Sequence, residues 1–204
     1  MSRLRGPRLK IMRALGVELP GLSRKSIEKR PHPPGQHGPQ ARKRTNRSDY
    51  SLRLREKQKV RFNYGLSERQ LRGLVEDATR LKGNTGVVLI QLLERRLDNV
   101  VFRAGFARTI PGARQMVSHG HIQVNGRTVD RPSYRLRRGD VITVATKSKA
   151  LAQAALESGA GMVSDWINVD REGLKATMAS FPDETFLPFP LEPRLIIEHY
   201  SRAM

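Results

Sequence analysis

Ala113–Arg127 reads ARQMVSHGHIQVNGR. Together with Thr109, Ile110 and Pro111 just before it, this stretch holds a helix, a stop, a strand and a turn. Thr109 can cap a helix, and Pro111 sits in its first turn, where a missing N–H costs little. Ile110, Ala113, Met116 and Val117 recur at helical spacing and face inward, and Gly120 ends the helix. Ile122 and Val124 then alternate with His121, Gln123 and Asn125, the period of a half-buried strand. Asn125-Gly126 is a strong two-residue hairpin signal, because both turn positions tolerate positive φ. Such a corner belongs to a small α+β module. Arg114, Gln115, His119, His121, Gln123 and Arg127 remain for its outside.

The flanks extend this reading. SYRLRRGDVITVAT (133–146) supplies further short strands around a turn at Arg138-Gly139-Asp140. Upstream, Leu89, Leu92, Leu93, Leu97, Val100, Val101 and Ala104 lie on one helical side, with Gly105 as the stop. About 20 residues is long for one globular helix, so a bend or break is expected near Glu94, where two domains would meet. The preceding helix opens with Ser67 and Gln70 at capping-box spacing and carries Leu71, Leu74, Val75, Ala78 and Leu81 inward. Before it, DYSLRLREKQKVRFNYG (49–65) predicts a helix with Asp49 as N-cap and Gly65 as stop. Tyr50, Leu54 and Phe62 form its thin apolar stripe, and Arg53, Arg55, Lys57, Lys59 and Arg61 cover the rest, where a phosphate backbone could lie.

The two ends differ from the middle. GPRLKIMRALG (6–16) predicts a short helix with Met12 and Leu15 on one side. Pro31, Pro33, Pro34 and Pro39, with Gly35 and Gly38, then prevent regular structure. Residues 1–47 read as a basic arm without a core, extended until RNA or DNA supplies a partner. After Lys149, ALAQAAL predicts a short helix, DWINVD a strand and EPRLIIEHYSR a final helix.

Charge narrows the partner. The 204 residues carry 38 Lys+Arg against 19 Asp+Glu, net +19, with no cysteine and 5% aromatic residues. Residues 1–65 hold 18 basic and 4 acidic side chains, and residues 95–149 hold 12 and 3. Residues 66–94 are neutral, and 150–204 carry 4 basic and 8 acidic side chains, which suits a protein contact. A charge this large calls for an anionic partner. No apolar run approaches the roughly 20 residues of a membrane span, and no secretory signal is present, so the reading is a soluble intracellular protein. Arg and Lys with Asn, Gln and His, and few stacking aromatics, fit structured RNA better than single strands. His119 and His121 lack a nearby carboxylate or thiol, and His32 and His37 fare no better, so no metal site and no cofactor are expected. Asp98 follows Arg-Leu, as a catalytic aspartate does in some RNA-modifying enzymes. Its helical setting beside Val100 and Val101 instead favours a cap or ion pair.

The motifs RRLDNVV, ARQ, GHIQVNG, PSY and GD, in that order, resemble the S-four RNA-binding module. LRLREKQKVRFNYGLSERQLR, PPGQHG and IIEHYSR resemble the bacterial S-four family of small-subunit ribosomal proteins. Many members carry a zinc-binding cysteine cluster before PPGQHG. This chain has none, so zinc is not implied. Residues 150–190 match only loosely, keeping WINVD.

The resemblance implies an α+β protein: a mostly helical domain (48–93, closed by 183–204), an inserted RNA-binding module with a C-terminal extension (94–182), and the basic arm (1–47). It implies direct binding of 16S rRNA at a helical junction in the 30S subunit, early assembly of the subunit body and an effect on translational accuracy. Implied neighbours are the protein S-five and messenger RNA on its path into the subunit. The chain would be a monomer within the ribosome, away from membranes, in bacterial cytoplasm or plastid stroma. The candidate rRNA-binding residues are Arg3, Arg5, Arg8, Lys10, Arg13, Arg24, Lys25, Gln36, His37, Arg42, Lys43 and Arg44 in the arm. In the helical domain they are Arg53, Arg55, Lys57, Lys59, Arg61, Tyr64, Arg69 and Arg72. In the module they are Arg108, Arg114, Gln115, Ser118, His119, His121, Asn125 and Arg131. An RNA-modifying enzyme or a ribosome-associated stress protein with the same module is the alternative. The 55 residues after Lys149 hold no nucleophile–base pair and no phosphate loop.

Overall fold

The computed structural model describes residues 6–36, 38, 48–159, 164–182 and 187–201. They form two compact units, 6–89 with 187–201, and 90–182.

In the first unit, α1 (Arg8–Leu15) ends at Gly16, whose φ of 64° admits the left-handed cap. The long helix α2 (Asp49–Asn63) is capped by Ser48, whose side chain accepts from Ser51 N at 3.3 Å. Asp49, expected as the cap, is instead the first helical residue. In α3 (Glu68–Arg80), Ser67 and Gln70 form the full capping box. Leu71, Leu74, Val75 and Ala78 are buried, but Leu81 is exposed. The final helix, α8 (Pro193–Ser201), packs along α2.

Two expectations fail here. The first concerns the arm. Met12, Leu19 and Leu22 are fully buried, and Gly21 N donates to the buried Asn63 Oδ1 at 3.0 Å. Arg55 Nη2 reaches Ala14 O, and Arg13 Nε reaches His32 O at 2.9 Å. Residues 6–36 therefore belong to the first unit and have a core without RNA. The three apolar side chains are too widely spaced for one helical stripe, and they gather only because the chain turns after Gly16.

The second failure concerns α2, whose supposed outer face is largely its inner one. Arg53, Glu56, Lys57 and Lys59 are buried, whereas Tyr50 is 62% exposed. Arg53 Nε lies 3.5 Å from Glu198, and Lys57 Nζ 3.0 Å from Glu68. Lys59 Nζ donates to Glu56 at 2.5 Å and to Pro190 O at 3.0 Å. Glu192 N donates to Glu56 Oε2. Arg53 fastens α8 to α2, Lys57 ties α3 to α2, and Lys59 holds the segment leading into α8; buried charges persist because each finds a partner.

Tyr200 completes this seam, donating to Glu68 Oε1 at 2.8 Å. Burial pushes the Glu68 carboxyl up, but hydrogen bonds from Lys57 and Tyr200 and the charges of Lys57 and Arg61 outweigh it and hold the carboxyl below its usual value. A depressed folded pKa contributes stability that is present above the ordinary glutamate value of 4.5 and is lost as pH falls through the folded value. Glu68 is half-exposed and solvent-screened. Tyr200→Phe should therefore cost only about 1 kcal/mol at neutral pH, and less in acid once Glu68 is protonated. Urea unfolding of both proteins at neutral and acid pH checks this; an equal cost at both would refute it.

In the second unit, the expected break falls where the long pattern crosses Glu94. Helix α4 (Thr85–Glu94) stops and α5 (Leu97–Arg103) begins. Leu97 N and Asp98 N donate to Tyr134 O and Pro132 O, at 2.8 and 3.1 Å, instead of to the preceding turn. Asn99 Nδ2 donates to Glu94 O at 3.0 Å. Helix α6 (Ile110–Ser118) packs against α5. The strands β1 (Ile122–Val124), β2 (Arg127–Thr128) and β3 (Val141–Val144) are followed by α7 (Lys149–Glu157), β4 (Ile167–Asp170) and β5 (Lys175–Met178). The sheet is antiparallel throughout, in the order β2-β1-β3-β5-β4. Register places Val124 opposite Ile142, and Ile142 opposite Ala176, so their buried side chains share one face. β5 had no counterpart in the sequence reading, yet it pairs with both β3 and β4.

Eight α-helices and five strands among the described residues make the chain α+β.

Candidate nucleic-acid interface

The Ala113–Arg127 corner is built as its local signals require. Thr109 Oγ1 accepts from Gly112 N at 3.3 Å, starting α6. Gly120, with φ of 69°, turns the chain after His119, and His121 N closes back on Met116 O at 3.0 Å. Asn125 and Gly126 both take positive φ, 50° and 78°, between the paired Val124 and Arg127. Asn125 also reaches further. Its Nδ2 donates to Asp140 Oδ1, and its Oδ1 accepts from Val141 N, both at 2.9 Å. The side chain thus locks the hairpin turn to the start of β3, and its acceptor is committed to the fold.

Gln115, Ser118 and His119 are exposed on one rigid edge. His121 is half-buried, with its Nδ1 buried and unpartnered. Burial pushes its pKa down, with help from the charges of Lys147 and His119. The ring of His119 stands edge-on to it, with centroids 5.9 Å apart.

Arg114 is not a free edge residue. Its Nη2 and Nε donate to Asp98 Oδ2 at 2.7 and 3.2 Å. Arg96 grips the same carboxylate at 2.9 and 3.1 Å. Asp98 is 1% exposed and Arg114 28%. The aspartate is therefore an ion-pair partner that joins α5 to α6. Arg114 holds the corner in place while showing part of its guanidinium to solvent.

The other candidates divide by exposure. Arg8, Lys10, Arg24, Lys25, Gln36, Arg69, Arg72, Arg108 and Arg131 are exposed, Arg72 beside Glu76 at 3.2 Å. Arg13, Arg55 and Arg61 are half-buried. Arg53, Lys57, Lys59 and Tyr64 are buried in the first unit, where Arg53, Lys57 and Lys59 pair with Glu198, Glu68 and Glu56. Arg3, Arg5, His37, Arg42, Lys43 and Arg44 lie outside the described residues. Among the described residues no group of three or more His, Asp or Glu could hold a metal ion, and no helix is long and apolar enough to cross a membrane.

Residues 3–94 match the family model for the ribosomal protein S4/S9 N-terminal domain, and residues 95–142 match that for the S4 domain. The second match ends just inside β3, so β4 and β5 extend the sheet beyond it. The chain is 50% identical to the small ribosomal subunit protein uS4 of Methylobacillus flagellatus over 206 aligned residues, and 52% identical to that of Synechococcus elongatus over 207. Both alignments cover 100% of each chain. With both halves matched in order and half of all positions identical from end to end, this chain belongs to the uS4 family of small-subunit ribosomal proteins, which are structural rather than enzymatic and carry an S4 RNA-binding domain.

Proposed function

We propose that the chain binds 16S rRNA directly at a junction of helices, nucleates assembly of the subunit body and contributes to translational accuracy. The exposed edge of Gln115, Ser118 and His119, held rigid by Thr109, Gly120 and the Arg114–Asp98 pair, carries this reading. A junction is recognised by shape, phosphates and 2′-hydroxyls, which requires hydrogen-bonding groups on a fixed scaffold. Residues 94–182 act as the RNA-binding module with its extension. Residues 48–93 with 183–204 form the helical platform, and residues 1–47 add basic side chains to it. The chain works as a monomer inside the ribosome. Its acidic C-terminal quarter suits a protein neighbour such as S-five, and messenger RNA on its way into the subunit is a further contact.

Gln115→Ala combined with His119→Ala tests the edge. Both side chains are exposed, so stability should stay within about 0.5 kcal/mol. Affinity for a folded junction fragment of small-subunit rRNA should drop about tenfold, the loss of one or two hydrogen bonds. Unchanged affinity in filter binding would overturn the assignment.

A further inference from the structure

A second basic face lies in the same unit, along a segment that begins at the candidate Arg131 and is tied to Asn125 through Asp140. Segment 131–138 sends Leu136 into the core and leaves Tyr134, Arg135, Arg137 and Arg138 exposed. Leu136 N donates to Arg95 O at 2.9 Å, and Arg95 Nε returns a bond to Leu136 O at 2.8 Å. The Arg95 guanidinium then lies 4.7 Å from the centroid of the Phe181 ring. Arg138 Nε donates to Ala179 O at 2.9 Å, and Gly139 N to Met178 O at 2.9 Å, which brings the chain leading to Phe181 beside the arginine turn.

This arrangement gathers positive charge around an aromatic ring. Burial, and then the charges of Arg135 and Arg137, lower the pKa of Arg95; Asp140 offsets part of this. The Asp140 oxygens are already bonded to Asn125 Nδ2 and Arg137 N. Phe181 remains 44% exposed although an arginine covers part of it, and Tyr134 is 39% exposed. Exposed aromatic rings among clustered guanidinium groups are the combination that binds unpaired bases: the ring stacks a base and the cations take the flanking phosphates. An acidic peptide would use the charges but leave the rings without a role.

We propose that Arg95, Tyr134, Arg135, Arg137 and Phe181 form a second RNA site whose ligand is single-stranded RNA, with an unpaired base stacked on Phe181. It differs from the junction edge in taking unpaired rather than folded RNA. The test uses the full chain with a labelled single-stranded oligoadenylate of about twelve nucleotides, and a folded rRNA fragment in parallel. Phe181→Leu keeps apolar bulk but removes the π face; it should weaken oligonucleotide binding about 5- to 100-fold and leave folded-rRNA affinity within about twofold. Phe181→Trp should restore the binding, which a merely structural role would not predict. Arg137→Ala should weaken it and flatten its salt dependence. The site is refuted if Phe181→Leu binds the oligonucleotide like the parent chain, or if polyglutamate displaces the oligonucleotide as well as unlabelled oligoadenylate does.

Discussion

Replacing Glu94 with leucine should destabilise the second unit by about 3–5 kcal/mol, the usual cost of leaving one partner of a buried ion pair behind. Arg103 Nη2 and Nε bind Glu94 at 2.8 and 3.0 Å, and the two side chains are only 3% and 1% exposed. Asn99 Nδ2 adds a 2.7 Å bond to the same carboxylate. Removing Glu94 takes this carboxylate from a guanidinium that water cannot easily reach. Because Asn99 also holds the main-chain oxygen of Glu94, the α4–α5 corner loosens with it. Glu94→Leu combined with Arg103→Met should recover most of the loss, since an apolar pair of similar volume carries no desolvation cost. Urea unfolding followed by circular dichroism separates the cases. A single-variant cost below about 1 kcal/mol would mean that solvent reaches the pair.

Raising monovalent salt from about 50 to about 200 mM should weaken binding to folded small-subunit rRNA by roughly 10³- to 10⁵-fold, if six to ten phosphates are neutralised and their counterions released. Exposed side chains such as Arg8, Lys10, Arg24, Lys25, Arg69, Arg108 and Arg131 supply that number. The structure sharpens the expectation residue by residue. Arg108→Ala should make the log–log slope shallower by about 1. Lys57→Ala should leave the slope alone, because the buried ammonium already serves Glu68, although it should lower stability. Equal slopes for Arg108→Ala and the parent chain, or a flattened slope for Lys57→Ala, would place the phosphate contacts elsewhere.

The residues behind these two predictions differ in how legible they were. The corner from Thr109 to Arg127 could be read directly, because each of its signals acts within about four residues. A cap hydroxyl reaches the third N–H, a glycine relieves its own backbone, and Asn-Gly sets its own φ. The same locality made the capping box at Ser67, the stop at Gly105 and the break after Glu94 readable. The family resemblance rested on these short motifs and on their order.

What the sequence could not reveal on its own was where charges would be neutralised. A basic helix reads as a solvent-facing one because its partners are not on it. Lys59 meets Pro190 O, Tyr200 meets Glu68, and Glu192 meets Glu56, at separations of 131 to 136 positions. Only folding brings those groups together, so only the tertiary structure pairs Arg53 with Glu198 of α8, Lys57 with Glu68 of α3 and Lys59 with Pro190. The same reason hid the core under residues 6–36, the strand β5 and the stack of Arg95 on Phe181, each of which depends on partners contributed by distant parts of the chain. The sequence by itself determined the local geometry of the module, its charge and its family. The tertiary structure decided which of its cations are available to RNA, because burial and pairing are properties of neighbours in space.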